Sequence, residues 1–261
     1  MEGAHRADQP RDRGSGLSYK ADAWSGAAYE RIAEAFTPIH RRIADALEPR
    51  PGEPFLDLAC GTGGVALIAA GSGADVTGLD ISADQVAKAR AAAEEAGLSI
   101  RFDEGDAQAL PYPDAAFVAV ASAFGVIFAP DHQRAADELT RVCRQGARVA
   151  ITSWTDDGWF RLNARLRPDY EGLASVRWGD EKYLAGLLPD FELRFERGES
   201  TIAAGSGEEC WQLLSSSVPP LKAWLDTLDD AGRDAAAREY RALIEDGSLT
   251  REYVLALGER R

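Results

Sequence analysis

Between Pro54 and Trp154 the chain alternates two apolar patterns. Short apolar runs occupy Pro54 to Leu58, Ala74 to Asp80, Leu98 to Phe102, Ala115 to Ala121 and Gly146 to Trp154. Longer stretches with helical spacing separate them, at Val65 to Ala70, Ser82 to Ala96 and Asp131 to Arg144. Such alternation predicts parallel strands with helices packed on both faces of the sheet. Local signals agree. Ser82 and Gln85 form a capping box, Gly97 ends that helix, and Pro130 precedes the helix at Asp131.

Upstream, residues 1–18 are polar and glycine-rich, which predicts a disordered tail. Tyr19 to Ala35 has near-helical spacing, and Thr37 is expected to cap a second helix with Pro38 at its first position, running to Leu47. Downstream, Asp156 to Leu166 reads as a helix, and Asp180 as the N-cap of another that runs to Leu188. Phe191 to Arg197 alternates as a strand. Helical patterns follow at Glu208 to Ser215, Leu221 to Leu228 and Ala231 to Glu245, and Glu252 to Leu257 reads as an edge strand.

The chemistry concentrates where apolar runs end. The first closes on Asp57-Leu-Ala-Cys-Gly61-Thr-Gly63, with Ala66 completing a G-x-G-x-x-A spacing. Glycines serve where backbone must turn sharply or approach a ligand, and a helix start offers free N–H groups. A carboxylate at the end of a buried strand is costly unless something polar or cationic meets it. The second run ends on Asp80, at the spacing from which a carboxylate accepts both hydroxyls of a ribose. A third acid, Asp106, follows the third run. Three acid-ended strands in succession point to one adenosine-containing ligand across their C-terminal edge.

At these residues the chain resembles class I S-adenosylmethionine-dependent methyltransferases, in particular the small-molecule enzymes of the ubiquinone/menaquinone-methylase type. The matching segments are Leu56-Asp-Leu-Ala-Cys-Gly-Thr-Gly63, Gly78-Leu-Asp-Ile-Ser82 and Gly105-Asp-Ala-Gln-Ala-Leu-Pro-Tyr-Pro113. Phe124-Gly-Val-Ile-Phe-Ala-Pro-Asp131 and Glu138-Leu-Thr-Arg-Val-Cys-Arg144 follow in order. The resemblance implies a Rossmann-like three-layer α/β sandwich with a seven-stranded, mostly parallel sheet whose last strand is antiparallel. It implies a single methyltransferase domain over residues 19–261. Within it, residues 19–50 would form cap helices and 54–154 the cofactor-binding core. Residues 155–261 would be an acceptor-side segment, with a helical insertion at about 206–246.

The implied cofactor is S-adenosylmethionine, leaving as S-adenosylhomocysteine. Gly61 and its neighbours, Ala59 included, would approach the methionine portion, and Asp57 would support that loop or meet the ammonium. Asp80 would take the ribose hydroxyls, with Ile81 and Gln85 beside the adenosine. Asp106 would meet the adenine amino group and the Ala107 N–H a ring nitrogen. Ser122 would lie beside the donor methyl. For Gln85 the capping role alone is an alternative. On the acceptor side Trp24, Tyr29, Trp154 and Trp178 are candidates for an apolar pocket, against the alternative that each is core. His132 is a candidate base, against a surface or capping role, and His40 a lesser one. Ile32 and Phe36 read as helix packing on the sheet. Two features depart from the family pattern: Phe117-Val118-Ala-Val lacks the usual Asp after Phe, and the segment from Trp154 to Trp178 is short.

Composition narrows the partners. The 261 residues carry 43 acids against 29 bases, a net charge of −14. That disfavours nucleic acid, whose phosphates call for clustered Lys and Arg, and an anionic membrane surface. Three scattered cysteines and three histidines give neither a disulfide framework nor a metal set. No run reaches transmembrane length. A cytoplasmic enzyme, monomeric or homodimeric, acting on a small organic acceptor is the expectation. A nicotinamide-dependent oxidoreductase and a cofactor-binding protein that does not methylate are the alternatives.

Overall fold

The computed structural model describes residue 32, residues 34–168, residue 170 and residues 174–261. The tail expected over residues 1–18, and Trp24 and Tyr29, lie outside the described residues.

Seven strands form one sheet: β1 (Pro54–Leu58), β2 (Asp75–Asp80), β3 (Arg101–Glu104), β4 (Phe117–Ala123), β5 (Cys143–Trp154), β6 (Phe191–Ala203) and β7 (Ser248–Arg260), in the order β3-β2-β1-β4-β5-β7-β6. β1 to β5 pair in parallel, while β7 runs antiparallel to both β5 and β6. The strand order therefore reverses between β1 and β4. In open α/β sheets the crevice beyond the strand ends at such a reversal is where ligands bind.

Helices flank the sheet: α1 (Thr37–Leu47), α2 (Gly64–Gly71), α3 (Ala83–Glu95), α4 (His132–Val142), α5 (Gly158–Leu166) and α6 (Glu181–Leu187). Between β6 and β7 lie α7 (Gly207–Ser217), α8 (Pro219–Leu225) and α9 (Asp230–Arg241). α1 buries Ile39, Ile43, Ala44 and Leu47, a stripe at helical spacing. Its end is tied down by Arg148 of β5, whose Nε donates to the Leu47 carbonyl at 2.9 Å and whose Nη2 donates to Glu53 at 2.7 Å.

Two expectations are corrected. Glu252 to Leu257 is not an edge strand. It belongs to β7, which spans Ser248–Arg260 and lies inside the sheet. Val254 to Leu257 is a continuous buried run, the signature of a strand covered on both faces. The edge falls to β6, which carries Glu192, Arg194, Glu196 and Arg197, charges suited to an unpaired edge. Thr37 does not cap α1. The 3-10 turn Glu34–Phe36 runs into the helix, so Phe36 takes the N-cap position with helical angles and no side-chain cap bond forms. At Val118, where the family's Asp is missing, the β4–β5 register is irregular: Phe117 pairs with Cys143 but Ala119 with Arg148.

Asp57 shows how sequence becomes architecture. It lies near the end of β1, is buried, and its Oδ2 accepts the Ala66 N–H of the first turn of α2 at 2.8 Å. Gly63, at φ 83°, supplies no side-chain cap to that helix, so the carboxylate of the preceding strand satisfies one of its free donors instead. Burial pushes the Asp57 carboxyl up to about 8; the Ala66 N–H pulls it down, and the nearby Asp80 pushes it further up.

A raised folded value means that folding favours the protonated form. The contribution is complete below the unfolded value and is lost as pH rises through the folded one. The unliganded protein should therefore lose stability as pH rises from about 3.8 to about 8. Asp57→Asn keeps an oxygen for Ala66 and cannot ionise, so its slope should be shallower, with Asp80, also raised by burial, supplying the remainder. Denaturant unfolding at a series of pH values checks this; equal slopes in both proteins would remove Asp57 as the source. A second expectation concerns Gly78 in β2, where a Cβ would lie 2.5 and 2.6 Å from Phe102 ring atoms and 3.1 Å from the Cys60 sulfur. Gly78→Ala should cost about 1–3 kcal/mol, seen as a Tm lowered by several degrees in calorimetry.

Candidate functional site

The loop after β1 is built by backbone donors meeting acids. Cys60 N–H donates to the Leu79 carbonyl at 2.9 Å, which extends the β1–β2 pairing. Gly61 N–H donates to Asp80 Oδ2 at 2.8 Å, and Ser82 N–H to Asp80 Oδ1 at 2.9 Å. One carboxylate thus joins the glycine loop to the start of α3. Ser82 then caps α3 by accepting the Gln85 N–H. Burial raises the Asp80 pKa, and the backbone donors at Ser82, Gly61 and Ile81 oppose that rise. No cation figures among the groups that set either Asp57 or Asp80.

The other half of the site follows β4. Phe124 has φ 58°, uncommon for so bulky a residue and the kind of strain that gathers at binding sites. Its N–H donates to Thr152 Oγ1 at 3.0 Å, and the Val126 N–H donates to Ser122 Oγ at 3.1 Å, so neighbouring side chains hold the turn. Gly125 lies against Ala59, itself at φ 54°, and a Cβ on Gly125 would collide with the Ala59 side chain and carbonyl. The Phe124 ring stacks on Trp154 with centroids 4.0 Å apart and planes at 11°. Phe36 closes the group at 5.4 Å from Phe124 and 5.8 Å from Trp154.

A cavity of about 220 Å³ runs from the glycine loop past this aromatic group to α5, α8 and the neighbouring ends of β6 and β7. Of the residues expected from sequence, Asp57, Ala59, Gly61, Asp80, Ile81, Gln85, Ala107 and Trp154 line it. Ile32 and Phe36, expected only to pack, line it too.

Four expected residues are not brought to the wall. Ser122 is fully buried, its hydroxyl committed to the Val126 turn, and its neighbours Ala123 and Phe124 face the cavity instead. Asp106 sits between the lining residues Gly105 and Ala107, and its carboxylate accepts the Gln108 N–H at 2.8 Å. Trp178 is fully buried in a 3-10 turn, with its ring edge-on to His132 at 5.6 Å. His132 Nδ1 lies 2.9 Å from the Tyr183 hydroxyl, in the packing between α4 and α6. The histidine at the cavity is His40. Desolvation pushes it down to about 4, so its ring is neutral at neutral pH. A Cβ on Gly64 would strike that ring, so the glycine makes its seat.

Sequence reasoning also missed Asn163, Arg167, Ser200 and Arg251 at the far end. A signal for Arg251 was present. In β7 Leu249, Arg251 and Tyr253 alternate with the exposed Thr250 and Glu252, which puts the arginine on the inward face. Among the described residues no cluster of His, Cys, Asp and Glu could hold a metal ion, and no helix is long and apolar enough to cross a membrane.

Comparison with known proteins agrees with this geometry. A family model described as a methyltransferase domain matches residues 55–146, from β1 to the start of β5. An uncharacterized protein of Mycobacterium tuberculosis is 35% identical over 256 residues, covering 91% of this chain and 93% of the relative. The demethylmenaquinone methyltransferase of Thermus thermophilus is 42% identical over 188 residues, covering 68% of this chain and 84% of that enzyme. A phosphoethanolamine N-methyltransferase of Haemonchus contortus, solved with phosphomonomethylethanolamine and S-adenosylhomocysteine, shares the fold. Its TM-score is 0.60 at 17% identity, covering 95% of this chain and 58% of that one. Sheet order, loop chemistry and an identity of 42% over most of a named enzyme lead to one assignment: the chain belongs to the S-adenosylmethionine-dependent methyltransferases.

Proposed function

We propose that this methyltransferase acts on a small organic acceptor held in the apolar half of the cavity, with the cofactor in the acid-lined half. The observation that carries the reading is the continuity of one cavity from the Gly61 loop to Trp154. The net charge of −14 disfavours nucleic acid as the acceptor. A cytoplasmic location without a membrane partner is part of the same proposal, and the acidity disfavours an anionic membrane surface.

The cofactor end fits a cationic, adenosine-bearing ligand. Asp57 and Asp80 line it, and the cations that line the cavity, Arg251 in β7 and Arg167 just after α5, stand at its other end. An ionised carboxylate offers about four lone-pair sites. Asp80 accepts from the Gly61 and Ser82 N–H groups, with the Ile81 N–H also turned on it, and its remaining capacity is what ribose hydroxyls would use. Ile81 and Gln85 would flank the adenosine, and Ala107, next to Asp106, the base. Asp57, Ala59 and Gly61 would hold the methionine portion. His40, being neutral, adds no repulsion toward that positive ligand.

When bound, S-adenosylmethionine supplies an electrophilic methyl group. The chain's own part is placement. Phe36, Phe124 and Trp154 give a stiff apolar wall that orients an acceptor and excludes water, and orientation alone supplies much of such an acceleration. No lining residue is assigned as a base. Residues 19–50 as a cap bearing Trp24 and Tyr29, and the segment after Trp154 as the acceptor side, complete the proposed organisation.

Removing the Asp80 carboxylate should weaken S-adenosylhomocysteine binding by about 1–3 kcal/mol, since hydroxyls that it meets become unpaired. Because Asp80 also anchors the glycine loop, a second readout separates the two roles. The native protein should bind adenosine better than 2′,3′-dideoxyadenosine, and Asp80→Ala should bind both alike. Calorimetry with circular dichroism on the same samples checks this. Unchanged affinity, or discrimination that survives the substitution, would count against the ribose assignment.

A further inference from the structure

The two ends of the cavity differ in their ionisable groups. Asp57 and Asp80 line the cofactor end, whereas the end beyond Trp154 is lined by two guanidinium groups, Arg167 and Arg251, and by no carboxylate among the described residues. Arg251 has only 11% of its side chain exposed, and its guanidinium stands 3.9 Å from the Trp154 ring centroid and 4.7 Å from that of Phe160. Its Nε donates to Asp157 Oδ2 at 2.9 Å. Asp157 spends its other oxygen capping α5, accepting Trp159 N–H at 3.0 Å and Phe160 N–H at 3.2 Å. Arg251 Nη2 is buried without a hydrogen-bond partner.

Arg167 gives Nη1 to Asn163 Oδ1 at 3.2 Å, a neutral oxygen that also accepts the Tyr240 hydroxyl at 2.7 Å. Its guanidinium lies over the Tyr170 and Trp224 rings, at 4.9 and 5.4 Å. Ser200, the register partner of Arg251 across β6 and β7, has a buried hydroxyl that also lacks a partner. Among the described residues two cations stand against one carboxylate, that of Asp157, in a largely desolvated site. Guanidinium does not deprotonate in proteins, and a buried, half-paired charge is costly until an anion completes it.

We propose that the acceptor is an apolar organic acid whose carboxylate is held by Arg251 and Arg167, with Ser200 as a further donor, while its hydrocarbon or aromatic body lies along Trp154. The inference rests on the reading that the acid-lined end of the same cavity takes the methyl donor. A monoanion is favoured because, among the described residues, the cations at this end outnumber the carboxylates by one. A carboxylate is favoured because its two oxygens match the planar donor edge of a guanidinium. Leu214, Pro219, Pro220 and Leu249 line the same end and suit a hydrocarbon or aromatic body.

The test is calorimetry on the full chain with matched pairs: 2-naphthoate, biphenyl-4-carboxylate and decanoate, each against its primary amide, with and without S-adenosylhomocysteine. At least one acid should bind 10-fold or more tighter than its amide. That preference should shrink below about 3-fold in Arg251→Met and to an intermediate value in Arg167→Met, with S-adenosylhomocysteine affinity unchanged in both. No preference for the acid in any pair, or a preference untouched by both substitutions, overturns the proposal. Circular dichroism accompanies each variant; should Arg251→Met fail to fold, the native comparison and Arg167→Met decide. Failure of the native protein to bind S-adenosylhomocysteine would overturn the donor assignment instead, and the pairs measured without it would still judge this one.

Discussion

A carboxylate withdrawn from water must be met by donors, and the site of this protein is built around two that are. Asp80 accepts from Gly61 and Ser82, and Asp57 accepts from Ala66. Each partner is a main-chain N–H at the end of a strand or the start of a helix, where the chain has donors to spare. The glycine loop is therefore more than a flexible turn. It is held in shape because two acids would otherwise be left unsatisfied in the interior. The close approach of Gly125 to Ala59 adds a steric limit from β4, and the strained Phe124 is the backbone cost of turning there.

The cavity that results has a gradient along its length. On the proposed reading the acids face a donor that carries positive charge, and the arginines face the acceptor. Between them Phe36, Phe124 and Trp154 form a region with little polarity of its own. Opposite charges on the two partners would draw them toward their own ends and set which way round each lies. Enzyme sites often rely on such orientation, since a displacement depends on alignment more than on any single contact.

Much of this was legible in the sequence, and the limits have physical causes. Strand–helix alternation fixes a parallel sheet, and an acid at each strand end fixes which edge matters. Asp57, Asp80 and Trp154 could be placed at that edge from their position alone. Ser122 could not, because strand residues alternate faces: with β4 ending at Ala123, a shift of one position turns the hydroxyl inward and the next two residues to the cavity. Choosing between His132 and His40 needed tertiary contacts. His132 opens a helix directly after Pro130 and Asp131, yet Tyr183 and Trp178, distant in sequence, claim it. His40 sits in an ordinary amphipathic pattern, and only the packing of α1 on α2, with Gly64 opposite, shows which way its ring turns. The far end was hardest, since Ser200 and Arg251 meet only through β6–β7 pairing.

The direction of β7 separates the working edge of the sheet from its last residues. Being antiparallel, it enters at the cavity with Leu249 and Arg251 and leaves at the opposite edge, where Glu259 pairs with Arg148 and Arg260 bonds the Cys143 carbonyl. A fluorophore or surface tether placed at Arg261 would thus stand a full strand length from the chemistry. Attachment there would leave the cavity-lining end of β7, at Leu249 and Arg251, untouched in an immobilised form of the enzyme.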